Sequence, residues 1–451
     1  MGSVIALASL SIGCAAGSIR QAQDPAPCSI VAADGTAGSP QCTDRSDAAY
    51  GFSALANAPE IRAAEARGSA AEEEIAKAMA ARLPNAGFVA SAGGATERFG
   101  DLSGSRSGGI YSYALGVDVP LYQGGRAVAA IDAARADFKA ANQATRDRRV
   151  ATAYELALAL ARIDQQREAI AVLDRQERSL RRLAGEVRAE LRGGGTSRVD
   201  VDDVERQLAR IAVVREEAQL AVSEAEFTTR RLGISPDTRL PDASALQLPD
   251  SEQELVALAM RDNPRVNERA ARVEGAEARV AQAKGELLPT VSANVRMGGE
   301  RLQDTDDSQL GIAELRFSMP IYSGGLRPAT ISQRKDERLS AQLERDAAVD
   351  GVVAAVGSAI DRRAKARRMY VLAEVEKSSA AVMLEGLREE RKVGERSTFD
   401  EIRAIENLAN ADLNLLSARY QLQAAEFTLA AETGLIDRLI DVAGSPAGTA
   451  G

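Results

Sequence analysis

The sequence lacks histidine and tryptophan, and its three cysteines all lie within the first 42 residues. Without histidine there is no imidazole to act as a general base or as a metal ligand. Ser-His-Asp and Cys-His catalysis and His-Cys zinc sites are therefore excluded. The chain also contains no phosphate-binding Gly-x-x-x-x-Gly-Lys-Ser/Thr loop. We predict neither an enzyme nor a cofactor-binding protein.

Positive charge is also in deficit, with 56 Lys and Arg against 65 Asp and Glu and a net charge of −9. This balance is a poor electrostatic match to nucleic acid, so we expect no nucleic-acid partner. Only 4% of the 451 residues are aromatic, and no apolar run long enough for a transmembrane helix follows the N-terminus. Length alone would suggest two or three ordinary domains, but the pattern described below indicates a repeat.

The first residues, 1–20, are predicted to be a signal peptide or a lipoprotein signal. An apolar stretch is followed by small residues, as in an export signal, although no basic residue precedes it. Ser11-Ile12-Gly13-Cys14 resembles a lipobox and makes Cys14 a candidate for lipidation. In the flexible segment predicted at 21–56, Cys28 and Cys42 either form a disulfide in an oxidising compartment or remain free thiols.

The rest of the chain is an internal two-fold sequence repeat. Pro59 precedes Pro84 of a Leu-Pro pair by 25 residues, and Pro264 precedes Pro289 by the same 25, which gives an offset of 205. Three further motifs recur at an offset of 200. They are Pro120-Leu121-Tyr122-Gln123-Gly124-Gly125 with Pro320-Ile321-Tyr322-Ser323-Gly324-Gly325, Gly194-x-x-Ser197-x-x-Asp200 with Gly394-x-x-Ser397-x-x-Asp400, and Ala225-Glu226-Phe227-Thr228 with Ala425-Glu426-Phe427-Thr428. We divide the chain into a first repeat (57–234), an equatorial insert (235–251), a second repeat (252–434) and a tail (435–451) expected to be disordered.

Each repeat contains two predicted strands in which apolar and polar residues alternate. They cover residues 88–95 and 111–119 in the first repeat and 291–297 and 313–319 in the second. Polar, glycine-rich loops at 98–109 and 299–310 are predicted to join the strands of each pair. The charged residues of the polar faces are Asp118, Arg296, Glu314 and Arg316.

A long helix is predicted after each Gly-Gly pair, at residues 127–192 and 328–393. Apolar residues in the first of these recur about every 3.5 residues, which is the period of a coiled coil. Shorter helices are predicted at 59–83, 198–232, 252–284 and 399–433. We expect the first long helix to pack beside 198–232 and 252–284, stacked end to end. The second is expected to pack beside 399–433 and the N-terminal helix, 59–83.

Four amphipathic strands of about ten residues have the length of outer-membrane barrel strands. Open strand edges in lipid leave backbone groups unpaired, and membrane barrels need at least about eight strands. If these strands cross a membrane, several chains must therefore share one barrel. Two other classes remain as alternatives: a soluble coiled-coil structural protein, and a periplasmic adaptor, which is expected to have a single helical hairpin and a lipoyl-like β-domain.

The duplicated Pro-hydrophobic-Tyr-x-Gly-Gly, Gly-x-x-Ser-x-x-Asp and Leu-Pro motifs together resemble the TolC-like outer-membrane efflux protein family, over about residues 55–434. The resemblance implies a mainly α protein with β structure, in which a long α-helical coiled-coil barrel joins a transmembrane β-barrel shared between protomers. It also implies a homotrimer in the outer membrane with a large periplasmic part. Such a trimer is the exit duct of a tripartite efflux pump or a type I secretion system, with a periplasmic adaptor and an inner-membrane transporter as partners.

The duplicated motifs also have plain structural readings. At the strand-to-helix junctions, Pro120, Gly124 and Gly125, with their counterparts Pro320, Gly324 and Gly325, are expected to allow a sharp change of backbone direction. Gly194 and Gly394 are expected in the turns at the far helix tips. Ser197 with Asp200 and Ser397 with Asp400 fit a capping-box variant, in which the acid also complements the positive helix end.

The resemblance implies a second role for these tips, as a periplasmic gate. Asp400 would form a ring that binds cations at the entrance, and Arg396 would bind Asp200 of the first hairpin to hold the mouth shut. Arg403 stands where the family can carry a second entrance acid, which would make the ring less cation-selective. Arg391 stands where an aromatic gate residue can occur, and could instead pair with an acid of the neighbouring hairpin.

Overall fold

A computed structural model describes residues 54–98, 105–241, 246–302 and 308–438. The predicted signal, Cys14, the Cys28–Cys42 pair and residues 439–451 of the tail lie outside the described residues. Two predicted boundaries are wrong within the described part. Leu55, placed in the flexible segment, and Ile436, placed in the tail, are both fully buried, because each adds an apolar side chain to the same core.

Helices dominate the described residues. Their bounds are α1 Pro59–Ala80, α2 Arg126–Arg192, α3 Arg198–Arg231, α4 Glu252–Asp262, α5 Pro264–Gly285, α6 Leu326–Lys392 and α7 Thr398–Glu432, preceded by a short 3-10 turn at Leu55–Asn57. The two long helices, α2 and α6, have 67 residues each, which corresponds to about 100 Å. Each begins after a glycine with positive φ, Gly125 or Gly325. Within these described ranges no helix combines the length and apolarity needed to cross a bilayer.

One helix predicted at 252–284 is two helices in the structure. Pro264 has no backbone N–H to continue the ladder, and the backbone before it is extended at Asn263. The Asn263 side chain caps α5 by accepting a hydrogen bond from the Arg265 N–H at 2.9 Å, and it donates one to the Glu432 carbonyl at 2.7 Å. The break therefore joins the start of α5 to the end of α7.

The four strands form one antiparallel sheet in the order β1-β2-β3-β4, with bounds β1 Asn85–Arg98, β2 Ser105–Tyr122, β3 Thr290–Leu302 and β4 Ser308–Ser318. The strands run further into the predicted loops than expected, so the connections shrink to 99–104 and 303–307, outside the described residues. Backbone pairing continues through glycine and serine because ladder hydrogen bonds do not require an alternating side-chain pattern.

The register separates a polar from an apolar face. Asp118, Asn294 and Glu314 are cross-strand neighbours in one row, and Leu115 is directly opposite Met297 on the other face. Among the described residues, β1 pairs with β2 and β4 pairs with β3 alone, so the outer edges of β1 and β4 are open.

The helices pack as two hairpins, α2 with α3 and α6 with α7, and α7 also contacts α2. The expectation that the N-terminal helix packs beside the second long helix is wrong: α1 packs on α2, held by Arg149–Glu65 at 2.8 Å and Arg148–Glu60 at 3.4 Å. Its repeat equivalent, α5, lies between α2 and α6. Both short helices thus contact the long helix of their own repeat, and α5 also contacts the long helix of the other repeat.

Candidate functional site at the paired helix tips

The tips of the two hairpins are held beside each other by an apolar cluster. Leu180 and Val187 of α2 and Val204 of α3 pack with Leu384 of α6 and Ile402 of α7, all of them buried. Burial of apolar side chains of this size stabilises a contact by about 1.5–3 kcal/mol each. The turns that follow, around Gly194 and Gly394, both use glycine at positive φ, 78° and 83°.

The first tip turn is a complete capping box. Ser197 Oγ accepts a hydrogen bond from the Asp200 N–H, and Asp200 Oδ2 accepts one from the Ser197 N–H at 3.0 Å. Asp200 also accepts hydrogen bonds from the hydroxyls of Thr196 at 2.7 Å and Ser197 at 2.8 Å. The hydrogen bonds from Thr196 and then Ser197 lower the pKa of Asp200. The carboxylate is therefore ionised and fixed at the start of α3.

The second tip repeats this geometry at the start of α7. Asp400 Oδ2 accepts hydrogen bonds from the Ser397 hydroxyl at 2.8 Å and from the Ser397 N–H at 3.1 Å. These bonds lower the pKa of Asp400, and the nearby positive charges of Arg396 and Arg403 lower it further. Asp400 therefore remains a carboxylate, but with two cations around it.

Arg391 is the centre of an ion-pair cluster between the two hairpins. Its Nη1 lies 2.6 Å from Glu401 of α7 and 3.1 Å from Glu186 of α2, and its Nη2 lies 3.0 Å from Glu190 of α2. Arg388 adds a second cation, with Nε 3.2 Å from Glu401. Three carboxylates and two guanidinium groups thus bridge α6 and α7 of one hairpin to α2 of the other.

The cluster is only partly accessible. The side chains of Arg391 and Glu401 are 15% and 9% exposed, whereas those of Glu186 and Glu190 are about half exposed, at 49% and 44%. Burial acts to lower the pKa of Arg391, but its hydrogen bonds to Glu401 and Glu186 outweigh that effect and the pKa is raised. The residues border a groove of about 760 Å³ between the hairpins. Arg391 is therefore a permanent cation fixed at the contact between the tips.

The predicted contact between Arg396 and Asp200 is not formed within one protomer. Arg396 Nε instead lies 2.8 Å from Glu390 Oε2 on its own hairpin. The turn at Gly394 brings the chain back over the last turn of α6, since the Glu395 N–H donates to the Glu390 carbonyl at 3.0 Å. Arg396 is then directed to the nearest carboxylate on that turn.

Arg403 lies one helical turn beyond Asp400. Its guanidinium carbon is 4.4 Å from the centre of the Phe399 ring, a cation–π contact. Arg396, Asp400 and Arg403 line one groove of about 810 Å³ on the second hairpin, together with Met383. The second tip therefore carries mixed charge.

The strand-to-helix junctions lie at the other end of the long helices. A Cβ on Gly124, whose φ is +63°, would lie 2.5 Å from the carbonyl oxygen of Gly285, so glycine is required by both space and conformation. Its counterpart Gly324 has φ +60° but no described atom within 4 Å of such a Cβ. Pro120 lies beside an irregularity in the β2–β3 register, and Pro320 follows the end of β4.

The sequence offered an acid of the neighbouring hairpin as a partner of Arg391, but it did not identify which acids those are. Glu186, Glu190 and Glu401 were not singled out, nor were Arg388 and Glu390. The sequence contains a signal for Glu186 and Glu190, which lie four residues apart on one helix. Two carboxylates at this spacing repel each other unless a cation lies between them.

Comparison with known proteins agrees with this architecture. The family described as "Outer membrane efflux protein" matches residues 52–230 and 255–435. The outer membrane efflux protein BepC of Brucella suis biovar 1 (strain 1330) is 28% identical over 290 residues, which is 63% of this chain and 63% of BepC. The chain thus matches less than two thirds of the length of that relative. The matched family regions are the two sequence repeats.

Solved structures share the fold at low sequence identity. CusC superposes with a TM-score of 0.76 at 16% identity, covering 86% of this chain and 92% of that one. The Campylobacter jejuni CmeC outer membrane channel gives 0.74 at 16% identity, covering 85% and 84%. The open state of Neisseria gonorrhoeae MtrE gives 0.72 at 18% identity, covering 87% and 89%.

The chain belongs to the outer membrane efflux protein family. The resemblance drawn from the duplicated motifs is confirmed, and so is the location in the outer membrane. This is a family of channels rather than of enzymes.

Proposed function

We propose that three copies of this chain form a passive outer-membrane exit duct, in which a shared twelve-stranded β-barrel continues into a periplasmic tunnel of helices. The observation that carries the proposal is the sheet: four strands, open on both outer edges, with an apolar face that nothing in the described chain covers. Phe88, Leu115 and Met297 on that face are 67%, 50% and 61% exposed.

Lipid satisfies an exposed apolar face but not an open strand edge. Each unpaired backbone N–H or C=O group costs about 1–8 kcal/mol in an apolar environment, depending on the reference solvent. The edges of β1 and β4 must therefore pair if they lie in lipid. A second copy supplies the missing strand, and closure needs at least about eight strands. Three copies contribute twelve, the number implied by the family resemblance.

The other face of the sheet is suited to a water-filled lumen. Asp118, Asn294 and Glu314 form a polar row across three strands, and Arg316 pairs with Glu314 at 2.5 Å. Polar and charged side chains are stable in a water-filled barrel interior and unfavourable against lipid. The chain has no motif that would bind nucleotide, so energy for transport would come from an inner-membrane transporter, through a periplasmic adaptor.

The tips of the hairpins would form the periplasmic entrance and its iris-like gate. The Arg391 cluster supports this, because it ties the second hairpin to the first at Glu186 and Glu190, and opening would have to break that contact. Asp400 and Arg403 would line the mouth with opposite charges. The same duct would serve type I secretion, but the matching family and BepC are both described as efflux proteins, which favours an efflux pump.

Two substitutions on β3 test the membrane assignment. Met297→Lys places a charge on the apolar face, and Asn294→Lys, three residues earlier on the same strand, places it on the polar face. A lysine facing lipid near the bilayer centre costs about 2–4 kcal/mol, whereas a lumen lysine does not. We expect the Met297 variant to insert poorly and the Asn294 variant to insert normally, in outer-membrane fractions and in planar bilayers.

The parent protein should sediment with outer membranes, need detergent for extraction and give discrete conductance steps. A monomer that stays in aqueous solution without detergent would contradict the proposal. Equal insertion of the two lysine variants would contradict the assignment of the faces.

A further inference from the structure

A cavity of about 460 Å³ lies between α1, α2 and the segment that follows α7. Its wall is formed by four residues of α1, five residues of α2 and Asp437. All of them belong to one chain, so the cavity is complete without a second copy. The wall includes none of the residues that form the tips, the strands or the strand-to-helix junctions, and the proposed duct gives it no role.

Ion pairs between elements fix much of this wall. Arg149 Nη2 lies 2.8 Å from Glu65 Oε1, which joins α2 to α1. Arg146 Nε lies 2.6 Å from Asp437 Oδ2, and Arg146 Nη2 donates a hydrogen bond to the Gly434 carbonyl at 3.1 Å, which joins α2 to the segment after α7. The side chains around the cavity are therefore held in place before any ligand binds, which lowers the entropic cost of binding.

One carboxylate oxygen of the wall has no hydrogen-bond partner in the described part of the chain. The Asp437 side chain is only 10% exposed, and its Oδ2 accepts a hydrogen bond from Arg146. Its other oxygen, Oδ1, is buried and accepts none. A buried acceptor without a donor costs free energy, and a charged one costs more. A donor that enters the cavity would remove this cost.

Three further polar groups of the wall are available to a ligand. The Ser69 hydroxyl, the Glu72 carboxylate and the Asn142 amide make no hydrogen bond or ion pair with the residues that the structure describes. The Phe138 ring adds an apolar surface to the same wall. A ligand would therefore meet two carboxylates, a hydroxyl and an amide beside one aromatic ring.

The charges of the wall favour a ligand with a single positive charge. Three carboxylates and two guanidinium groups line the cavity. Each arginine is paired with one acid, so Glu72 is the carboxylate in excess. An ammonium group offers three N–H donors and no acceptor, which suits Asp437 Oδ1 and Glu72 together. Within the described ranges no cluster of acids is arranged to hold a metal ion.

The second repeat does not carry this chemistry. At the offset of 200, Phe138 of α2 corresponds to Arg338 of α6, and Arg146 corresponds to Asp346. An aromatic ring and a cation of the wall are thus replaced by a cation and an anion. The cavity is therefore particular to the first repeat and is not a by-product of duplicated packing.

We propose that this cavity binds a small primary amine as its ammonium ion, which donates hydrogen bonds to Asp437 Oδ1 and Glu72 while its apolar part packs against Phe138. Each chain carries one such site. The bound ion ties α1 to the segment after α7, because its two acceptors lie on these two elements.

The chain contains no tryptophan, so Phe138→Trp places a single fluorescent reporter in the wall. Titration of detergent-purified full-length protein with 2-phenylethylammonium chloride, at constant ionic strength, should change the tryptophan fluorescence saturably, with one site per chain. The neutral alcohol of the same shape, 2-phenylethanol, should bind at least about tenfold more weakly, because it lacks the charge-assisted hydrogen bonds. Calorimetry on the parent protein should give the same preference.

Three variants locate the site. Glu72→Gln should weaken ammonium binding about tenfold, whereas Glu73→Gln, a matched change at an exposed position outside the wall, should leave it unchanged. Ser69→Leu adds a bulky side chain to the wall from an exposed position of α1 and should abolish binding of both compounds. Asp437→Asn should reduce the preference for ammonium over alcohol. Since that change also weakens the pair with Arg146, the Glu72 and Ser69 variants decide the result if it loosens the fold.

Equal affinity for the ammonium ion and the alcohol would overturn the proposal. So would the lack of a saturable response in the parent protein, or ammonium binding that survives Ser69→Leu. None of these outcomes bears on the duct, which is tested by membrane insertion and conductance.

Discussion

Replacing Arg391 with glutamine is expected to favour the open state of the duct. The change removes the contacts from Nη1 to Glu186 at 3.1 Å and from Nη2 to Glu190 at 3.0 Å, which are the ion pairs that Arg391 makes across the hairpins. Both carboxylates are about half exposed, so each contact contributes about 0.2–1 kcal/mol, and the two together about 1 kcal/mol. The contact with Glu401 stays within one hairpin and does not resist separation.

About 1 kcal/mol per chain shifts the ratio of closed to open states roughly fivefold. If three tips open together, the variant loses about 3 kcal/mol of closed-state stability, and the ratio of closed to open states shifts by about 150-fold. Single-channel recording in planar bilayers measures this as a higher open fraction or a larger mean conductance. The difference between the variant and the parent protein should be smaller at high salt, because salt screens the half-exposed ion pairs of the parent.

The matched control is Lys392→Gln, which removes one positive charge from the adjacent position. Lys392 pairs with Glu389 on its own helix at 2.6 Å and makes no described contact with the first hairpin. Glu186→Gln combined with Glu190→Gln should reproduce the Arg391 effect and add little to it. Equal conductance of the Arg391 and Lys392 variants would refute the assignment of Arg391 as the link between the tips.

Two further predictions concern stability. Gly124→Ala should lower the thermal denaturation midpoint more than Gly125→Ala does. A left-handed backbone costs alanine about 1–2 kcal/mol at both positions, but only at position 124 would the new Cβ lie 2.5 Å from the Gly285 carbonyl oxygen. Equal midpoints for the two variants would contradict this prediction. The hydrogen bond from the Thr196 hydroxyl lowers the pKa of Asp200. The stability that the ionised Asp200 carboxylate adds to the first turn of α3 is therefore fully present above the ordinary pKa of 3.8, and it is lost as pH falls through the lower folded-state pKa. The protection of that turn against amide hydrogen exchange, measured relative to the intrinsic rate at each pH, should therefore persist down to about pH 4 and then fall. Asp200→Asn should reduce this protection at neutral pH, and loss of protection in the parent protein well above about pH 4 would contradict the sign.

Local chemistry explains why so much of the fold could be predicted. Period-two alternation, a 3.5-residue seam and glycines at positive φ each act over a few residues, so the four strands, both long helices and the two tip turns follow from the sequence. The Ser197 and Ser397 caps form as expected because both partners lie within one turn of the chain. The break at Pro264 follows from the same local chemistry, because proline has no N–H to continue the hydrogen-bond ladder of a helix.

The partners of charged residues at the tips depended on tertiary structure. Arg391 meets Glu186 and Glu190 because the apolar cluster at Leu180 and Leu384 fixes how α2 and α6 slide past each other, and no local pattern encodes that register. Arg396 meets Glu390 because the turn folds back on its own helix. Long side chains reach whichever opposite charge the packing brings near, so their pairing is decided last.

By itself, the sequence determined that this protein contains one unit of helices and strands that occurs twice. It also indicated that four strands leave open sheet edges, which strands of further copies would have to pair. Tertiary structure decided which long helix receives α1. The physical reason is that amphipathic periodicity specifies which side of a helix is buried but not against what, since any apolar surface of the right shape satisfies it.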